Sequence, residues 1–358
     1  MKRTTSLLSF LSFLLACASV SSAQPRRPHF DATNPDVHDP VMALCEGRYY
    51  LFATGFGISC MSSADLLTWQ QERPVLMATP QWAMDSIQGY RGHTWAPDIQ
   101  YYKGWWYLFY SCSSFGKNTS AIGVAVSKTL NPQSPDFAWH DQGMVVRSHR
   151  ESPYNCIDPN MMMDHDGRLW LTWGSFWDGI QQAQLQEQGL DSLGAPRLVL
   201  ASQPHTVARR RAPRSAVPEA DMALANEAPD AGPNAIEAPF MIHHDGWYYL
   251  LASWDYCCKG ARSNYKTVVG RSRDPQGPFL DRDDRDMVLG GGTLLAGPDD
   301  AYYGIGHCGI VVYPYAPDGV TQDTYFVAHG YATVHGGASK LFLRRLTYDA
   351  QSWPVITP

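Results

Sequence analysis

Short apolar runs punctuated by glycine, rather than a helical stripe, organise this chain. One unit recurs: a polar opening residue, a short apolar strand, a turn at glycine, then a second run of aromatic and aliphatic residues. Four copies are clear and the fifth is weak: HDPVMALCEGRYYLFAT from His38, APDIQYYKGWWYLFYS from Ala96, IDPNMMMDHDGRLWLTW from Ile157, IEAPFMIHHDGWYYLLAS from Ile236 and GHCGIVVYPYAPDGVTQDTYFVAHG from Gly306. Asp-Gly and Lys-Gly pairs are the residues tight hairpins use, and the Tyr, Trp, Leu and Phe that follow suit a pleated, half-buried surface. Each copy predicts a β-hairpin.

The turn glycines Gly47, Gly104, Gly167 and Gly246 lie 57, 63 and 79 residues apart, long enough for a four-stranded sheet with its loops. A closed ring of five such sheets protects strand edges that an open sheet of this many strands would expose. The predicted fold is therefore all-β, a five-bladed β-propeller. A sandwich predicts no long repeat, and a parallel β-helix a much shorter one. Helical periodicity is nearly absent, the segment Ile180 to Gln188 being the best short candidate.

The N-terminus reads separately. Lys2 and Arg3 precede an apolar run from Leu7 to Val20 and then Ser21-Ser22-Ala23, the pattern of an export signal cleaved after Ala23. The run is shorter than the roughly 20 residues a membrane span needs, so a soluble secreted or periplasmic domain over residues 24–358 is expected. Leu14-Leu15-Ala16-Cys17 offers the alternative of a lipoprotein anchored through Cys17.

Net charge is −6, only 17% of residues are charged, and there are 12 Trp and 19 Tyr. That balance argues against a nucleic-acid surface and for binding by rings. Eight cysteines in an exported chain would ordinarily suggest disulfides, but a domain this large does not need that framework. Cys45, Cys60, Cys112, Cys156 and Cys308 sit in apolar context and read as small buried hydrophobes. Cys257-Cys258 is a pair able to close a strained ring between neighbours, and no spacing resembles a zinc site.

In a propeller the first strand of each blade lines the central channel, so the residues opening those strands should form a ring. Here that predicted ring is Asp39, Asp98, Asp158, Glu237 and His307. One such acid alone reads as a turn or surface residue; several in register, each in a different local sequence, read as divided labour. Carboxylates crowded together separate in proton affinity, so one can serve as acid and another as base, as glycosidic bond cleavage requires.

VHDP at 37–40, TWAPDIQYYKGWWYLFYSCSSFGKNTSAIGVAVS at 94–127, IDPN with LWLTWGSFWDGI up to 180, IEAPF at 236–240 and SWDYCCKG with YKTVVGRSRDPQGPF up to 279 together resemble the endo-1,5-α-L-arabinanases of glycoside hydrolase family 43. The resemblance implies inverting cleavage of arabinan, with Asp39 as general base, Glu237 as general acid and Asp158 as the acid that tunes Glu237 and orients the sugar. It puts Trp95 and Phe115 in a stacking platform and His38, Asn160, Ser175 and Trp177 at the substrate. It also implies that His307 helps hold a channel cation, calcium above others, through a water-rich shell.

The chain departs from that pattern in three places. Cys308 stands where asparagine or serine usually follows the channel histidine, and Ala332 stands where an acid is common. Residues 203–234, rich in Ala, Pro and Arg and including Arg209-Arg210-Arg211, read as a mobile insertion before the Glu237 strand. Draped over the groove, it would convert internal to end-acting cleavage; as a solvated insertion, it would have no role. The rival functions are thus an end-acting arabinofuranosidase or β-xylosidase with the same acids, a non-catalytic carbohydrate-binding propeller, and a retaining sucrose-active propeller.

Overall fold

The first hairpins form where the glycines predict. Glu46-Gly47, Lys103-Gly104 and Asp245-Gly246 all have positive φ at both residues, the type I′ geometry whose twist matches the flanking strands. They join the register pairs Cys45 with Arg48, Tyr102 with Trp105, and His244 with Trp247. The computed structural model describes residues 30–211, 234–312 and 324–357. The predicted export signal with Cys17 and the centre of the 203–234 insertion lie outside the described residues.

Five antiparallel sheets follow in chain order. The first blade is Val41–Cys45, Arg48–Ala53, Ser59–Ser63 and Gln70–Gln71; the second is His93–Tyr102, Trp105–Cys112, Ala121–Ser127 and His140–Arg147, with Gly55–Phe56 added at its inner edge. The third is Asn160–Met163, Leu169–Trp173, Ile180–Leu190 and Pro196–Leu200, with His205–Ala208 pairing beside it. The fourth is Ile236–His244, Trp247–Trp254, Lys266–Ser272 and Thr293–Ala296, and the fifth Tyr302–Val312, Thr324–Ala332, Ala338–Tyr348 and Pro354–Thr357. Each innermost strand lies against the next, and the fifth returns to the first, so the predicted five-bladed β-propeller is present.

The second strands read as continuous apolar runs because both faces of a blade are covered by neighbouring blades. Tyr107 and Phe109 pack with the third blade's Leu171 and Ala183, while the alternate residues Leu108 and Tyr110 pack on the opposite side with Phe52. Met161 and Met162 divide between two clusters in the same way. The ring closes by strand addition: Val37 N–H donates to Ser339 O at 3.2 Å, Leu341 N–H to Pro35 O at 3.2 Å, and Lys340 Nζ pairs with Asp36 at 2.7 Å. Residues 35–37 thereby become part of the last blade.

The helical candidate is corrected. Ile180–Leu190 is a strand, hydrogen-bonded to Leu169–Trp173 on one side and to Pro196–Leu200 and His205–Ala208 on the other. Its glutamines favour helix locally, but alternation places Ala183 and Leu185 in the core between blades, and pairing on both edges prevails. Among the described residues the α-helix that does form is the short Gln81–Ser86. The insertion is also corrected in part: its first residues are ordered, His205–Ala208 as a strand and Arg209 in a two-point ion pair with Asp178 at 2.8 and 3.0 Å.

Candidate active site

Each innermost strand is entered through one residue in the left-handed region. These are Asp39, Ala96, Asp158, Ala238 and His307, with φ between 45° and 58°. In the second, fourth and fifth blades the residue is a bulge, marked by register shifts between Trp95 and Asp98, Glu237 and Phe240, and Gly306 and Gly309. The bulge frees one N–H from the ladder, and a side chain at the end of the preceding blade's second strand takes it. Thr54 caps Ala96 at 2.8 Å, Ser111 caps Asp158 at 2.9 Å, Ser253 caps His307 at 2.8 Å, and His329 Nδ1 caps Asp39 at 3.1 Å. The third blade has Gly174 in this place, without a side chain, and the Ala238 N–H goes instead to Asp158 Oδ2 at 3.1 Å.

This register corrects the predicted ring. Glu237 stands one residue before its blade's left-handed position and Asp98 two residues after. Glu237 still lines the cavity with Asp39, Asp158 and His307. Asp98 does not; it is buried among inner strands, accepting the Met161 N–H at 2.7 Å and Asn160 Nδ2 at 3.3 Å. Asn160 is withdrawn in the same way, its Oδ1 taking the Met241 N–H at 2.8 Å. Two residues past the left-handed position, both side chains brace neighbouring blades and neither lines the cavity. Burial raises the Asp98 carboxyl to about 7.

Asp39 is surrounded by donors. Its Oδ1 lies 2.8 Å from His38 Nδ1 and 3.0 Å from His307 Nδ1, and its Oδ2 accepts the Thr54 hydroxyl at 2.6 Å. Burial alone would raise its proton affinity; the imidazoles of His307 and His38 outweigh burial and hold it well below the ordinary carboxylate range. Burial likewise disfavours charge on His307, yet Asp39, with Asp158 and Glu237 behind it, raises that ring to about 9.

Proton counting fixes the remaining imidazoles. His329 Nδ1 accepts from Asp39, so its proton sits on Nε2 and points to the Tyr331 hydroxyl at 3.2 Å. That oxygen also accepts the Cys258 N–H at 2.7 Å, which leaves its own O–H for His38 Nε2 at 2.9 Å. Burial lowers the proton affinity of His38 and Asp39 raises it further. A charged His38 would nevertheless give Tyr331 a third N–H donor and leave its O–H without an acceptor. The ring is therefore neutral, donating to Asp39 through Nδ1.

Glu237 is held at both oxygens. Tyr265 donates to Oε1 at 2.8 Å and Ser175 to Oε2 at 2.7 Å. Tyr265 reaches it because Gly306 has no side chain; a Cβ there would lie 2.3 Å from the ring. Burial, reinforced by the charges of Glu237 and Asp39 and opposed by His307, raises Asp158 well above the ordinary carboxylate range. One cavity thus contains a carboxylate kept ionised and a carboxyl kept neutral.

The cavity measures about 740 Å³, and its walls include Trp95, Phe115, Phe176, Trp177 and Tyr256. His38, Trp95, Phe115, Ser175 and Trp177 line the cavity; Ser175 donates its hydroxyl to Glu237. Arg209 braces Asp178, beside Trp177, and Asn234 Nδ2 donates to Trp177 O at 2.9 Å. Cys257 and Cys258 also line the cavity and are not joined. The five cysteines read as buried hydrophobes are buried.

Sequence reasoning missed Thr54, Ser111, Ser253 and His329, although a signal existed: they close four of the repeats, as LFAT, LFYS, LLAS and FVAH. Tyr265 and Tyr331 carried no such signal, because their roles depend on neighbours brought from other blades.

Paired acids in opposite protonation states at the axis of a propeller, walled by aromatic rings, define a glycoside hydrolase. The profile of Glycosyl hydrolases family 43 matches residues 32–354, and the chain belongs to that family. It is 39% identical over 350 residues to the extracellular exo-α-(1→5)-L-arabinofuranosidase ArbA of Cellvibrio japonicus, covering 97% of this chain and 92% of that one. It is 34% identical to the extracellular endo-α-(1→5)-L-arabinanase 1 of Bacillus subtilis, covering 97% and 96%. Among solved structures it resembles an exo-1,5-α-L-arabinanase from a bovine ruminal metagenomic library, with TM-score 0.79, 52% identity, and 92% and 99% of the two chains covered.

Proposed function

We propose that this enzyme hydrolyses α-1,5-L-arabinofuranosidic bonds of arabinan with inversion. The observation that carries the reading is the division of protonation within one aromatic-walled cavity: Asp39 held ionised by two imidazoles, Asp158 held neutral beside Glu237. Asp39 takes a proton from water as its oxygen bonds to the anomeric carbon. Glu237, aimed by Tyr265 and Ser175, gives a proton to the departing glycosidic oxygen as the old C–O bond breaks. Inversion asks for base and acid roughly 6.5–9.5 Å apart, with water between them. Asp158, fixed by the Ala238 N–H, orients the sugar and sets the electrostatic surroundings of Glu237.

The names of the Cellvibrio and ruminal relatives, at 39% and 52% identity, are those of exo-acting enzymes, which supports release from chain ends over the internal cleavage expected from sequence. A cavity of about 740 Å³ suits a short oligosaccharide end. The word extracellular in both curated names supports export through the N-terminal signal; a lipid on Cys17 remains the alternative anchor.

His307 Nδ1 faces Asp39, and its Nε2 has no partner among the described residues. Without an ion the ring keeps its proton up to about 9, so a cation held mostly by water, calcium being the proposed ion, would displace the Nε2 proton as it binds. A hard cation bound there would supply positive charge to the carboxylates.

The test pairs Asp39→Asn and Glu237→Gln, each expected to lower reducing-sugar release from linear arabinan by about 10²–10⁴-fold with the fold retained by circular dichroism. Unchanged release would end the assignment. Proton NMR of the first product anomer reads inversion against retention. Product sizing reads the mode of cleavage: monomer or one short oligomer from the start for end action, a broad ladder for internal cuts.

A further inference from the structure

A second cluster of chemistry lies on the same cavity wall. Cys257 and Cys258 are unlinked thiols that both line the cavity, and Cys258 Sγ is 3.6 Å from His38 Nε2. The two sulfurs and one nitrogen of His38 all lie within 4.8 Å of one another. Adjacent residues in a strand point to opposite sides; here Cys258 is in the left-handed region, φ 65°, and both thiols reach one place. The loop is pinned around them. Cys258 N–H donates to Tyr331 at 2.7 Å, Lys259 N–H to Ser263 Oγ at 3.1 Å, and Tyr256 N–H to Asn264 Oδ1 at 3.0 Å.

We propose that Cys257, Cys258 and His38 Nε2 form a site for a thiophilic divalent cation of the zinc class, and that its occupation blocks the cavity beside Asp39. Two sulfurs and one imidazole nitrogen are a borderline-soft ligand set, which selects zinc-like ions and rejects calcium. Bonds of about 2.3 Å to sulfur and 2.0–2.1 Å to nitrogen put ligands on a tetrahedral ion roughly 3.5–3.8 Å apart. The His38 to Cys258 separation already matches, and Cys257 completes the set by side-chain rotation. The fourth position opens into the cavity, where water or a sugar hydroxyl would sit. On binding, the two thiols lose their protons to solvent and the ion takes their place, so the site's net charge is unchanged. His38 exchanges the Tyr331 O–H for the ion at Nε2 while its Nδ1–H stays on Asp39, as its neutral tautomer allows. Nothing in this chemistry depends on which polysaccharide the enzyme cleaves.

Cobalt reports the geometry. The reduced full-length enzyme, kept in a phosphine reductant, is titrated with Co²⁺ and then with Zn²⁺. The expected result is one cobalt per chain with a near-ultraviolet thiolate-to-metal band and tetrahedral visible bands, displaced by an equivalent of zinc. Cys258→Ser should weaken zinc binding at least tenfold and remove most of the band. Zinc should also slow iodoacetamide labelling of Cys258 in the unaltered enzyme, a readout that requires no variant. Inhibition of sugar release by zinc should be reversed by chelator and lost in Cys258→Ser. Absence of a thiolate band while both thiols titrate as free overturns the site. So does zinc binding or inhibition that is as strong in Cys258→Ser.

Discussion

Gly306 offers a test of how Glu237 is held. A methyl group at position 306 would sit 2.3 and 2.5 Å from two ring carbons of Tyr265. Carbon atoms pack at about 3.5–4.0 Å, so in Gly306→Ala the ring must retreat by about 1 Å or more. The Tyr265 O–H to Glu237 bond, now 2.8 Å, then exceeds hydrogen-bond reach. A hydrogen bond to the protonated acid contributes about 0.5–1.5 kcal/mol, which corresponds to a roughly 2- to 13-fold fall in kcat/KM. Forced overpacking costs a further 1–3 kcal/mol of stability, roughly. Tyr265→Phe removes the hydroxyl alone and should reproduce the kinetic loss with a smaller stability loss. Since both substitutions act through one bond, the double variant should be no slower than the worse single one. The assay is kcat/KM on linear arabino-oligosaccharides with thermal unfolding alongside. Full activity in Gly306→Ala, or kinetic losses that multiply in the double variant, would refute the reasoning.

Three further outcomes follow from the same geometry. Asp98 holds its proton up to about 7 when folded but only to about 3.9 when unfolded. The folded state therefore binds more protons between those values, and this group costs stability as pH rises through the window; Asp98→Asn should lose the fall in melting temperature between about pH 4 and pH 8, starting lower at pH 4 because its amide accepts only one of the two bonds that Asp98 accepts. Arg209→Ala frees Asp178 beside Trp177, so KM should rise several-fold while kcat changes less, checked by initial rates across oligosaccharide lengths. Chelator treatment should lower kcat with recovery on adding calcium, and His307→Gln should be insensitive to both; an enzyme indifferent to chelator would remove the cation from the scheme.

The repeat was legible because tight hairpins demand glycine at the turn and because blades covered on both faces demand unbroken apolar strands. The ring of acids was legible only to within two residues. Aligning Asp98 and Glu237 with Asp39 treated the strands as uniform, whereas each strand entry contains a left-handed residue that shifts every side chain after it. Asn160, assigned to the substrate by resemblance, does not line the cavity. Ile180–Leu190 looked helical because glutamine's local preference is visible in sequence and the pairing of both its edges is not. Tyr265 could not have been found at all, since its significance arises from a missing Cβ some forty positions away.

The strand contributed by Pro35 to Val37 makes the ring a bracelet with a clasp. Four blades can assemble in order as the chain emerges, but the circle stays open until the fifth meets residues from the opposite end. Its integrity thus rests on those main-chain bonds and one lysine, on the contacts of His329 and Tyr331 with Asp39 and His38, and on apolar packing across the same seam. Tension applied between the first blade and the last would part that seam before any blade lost its own strands.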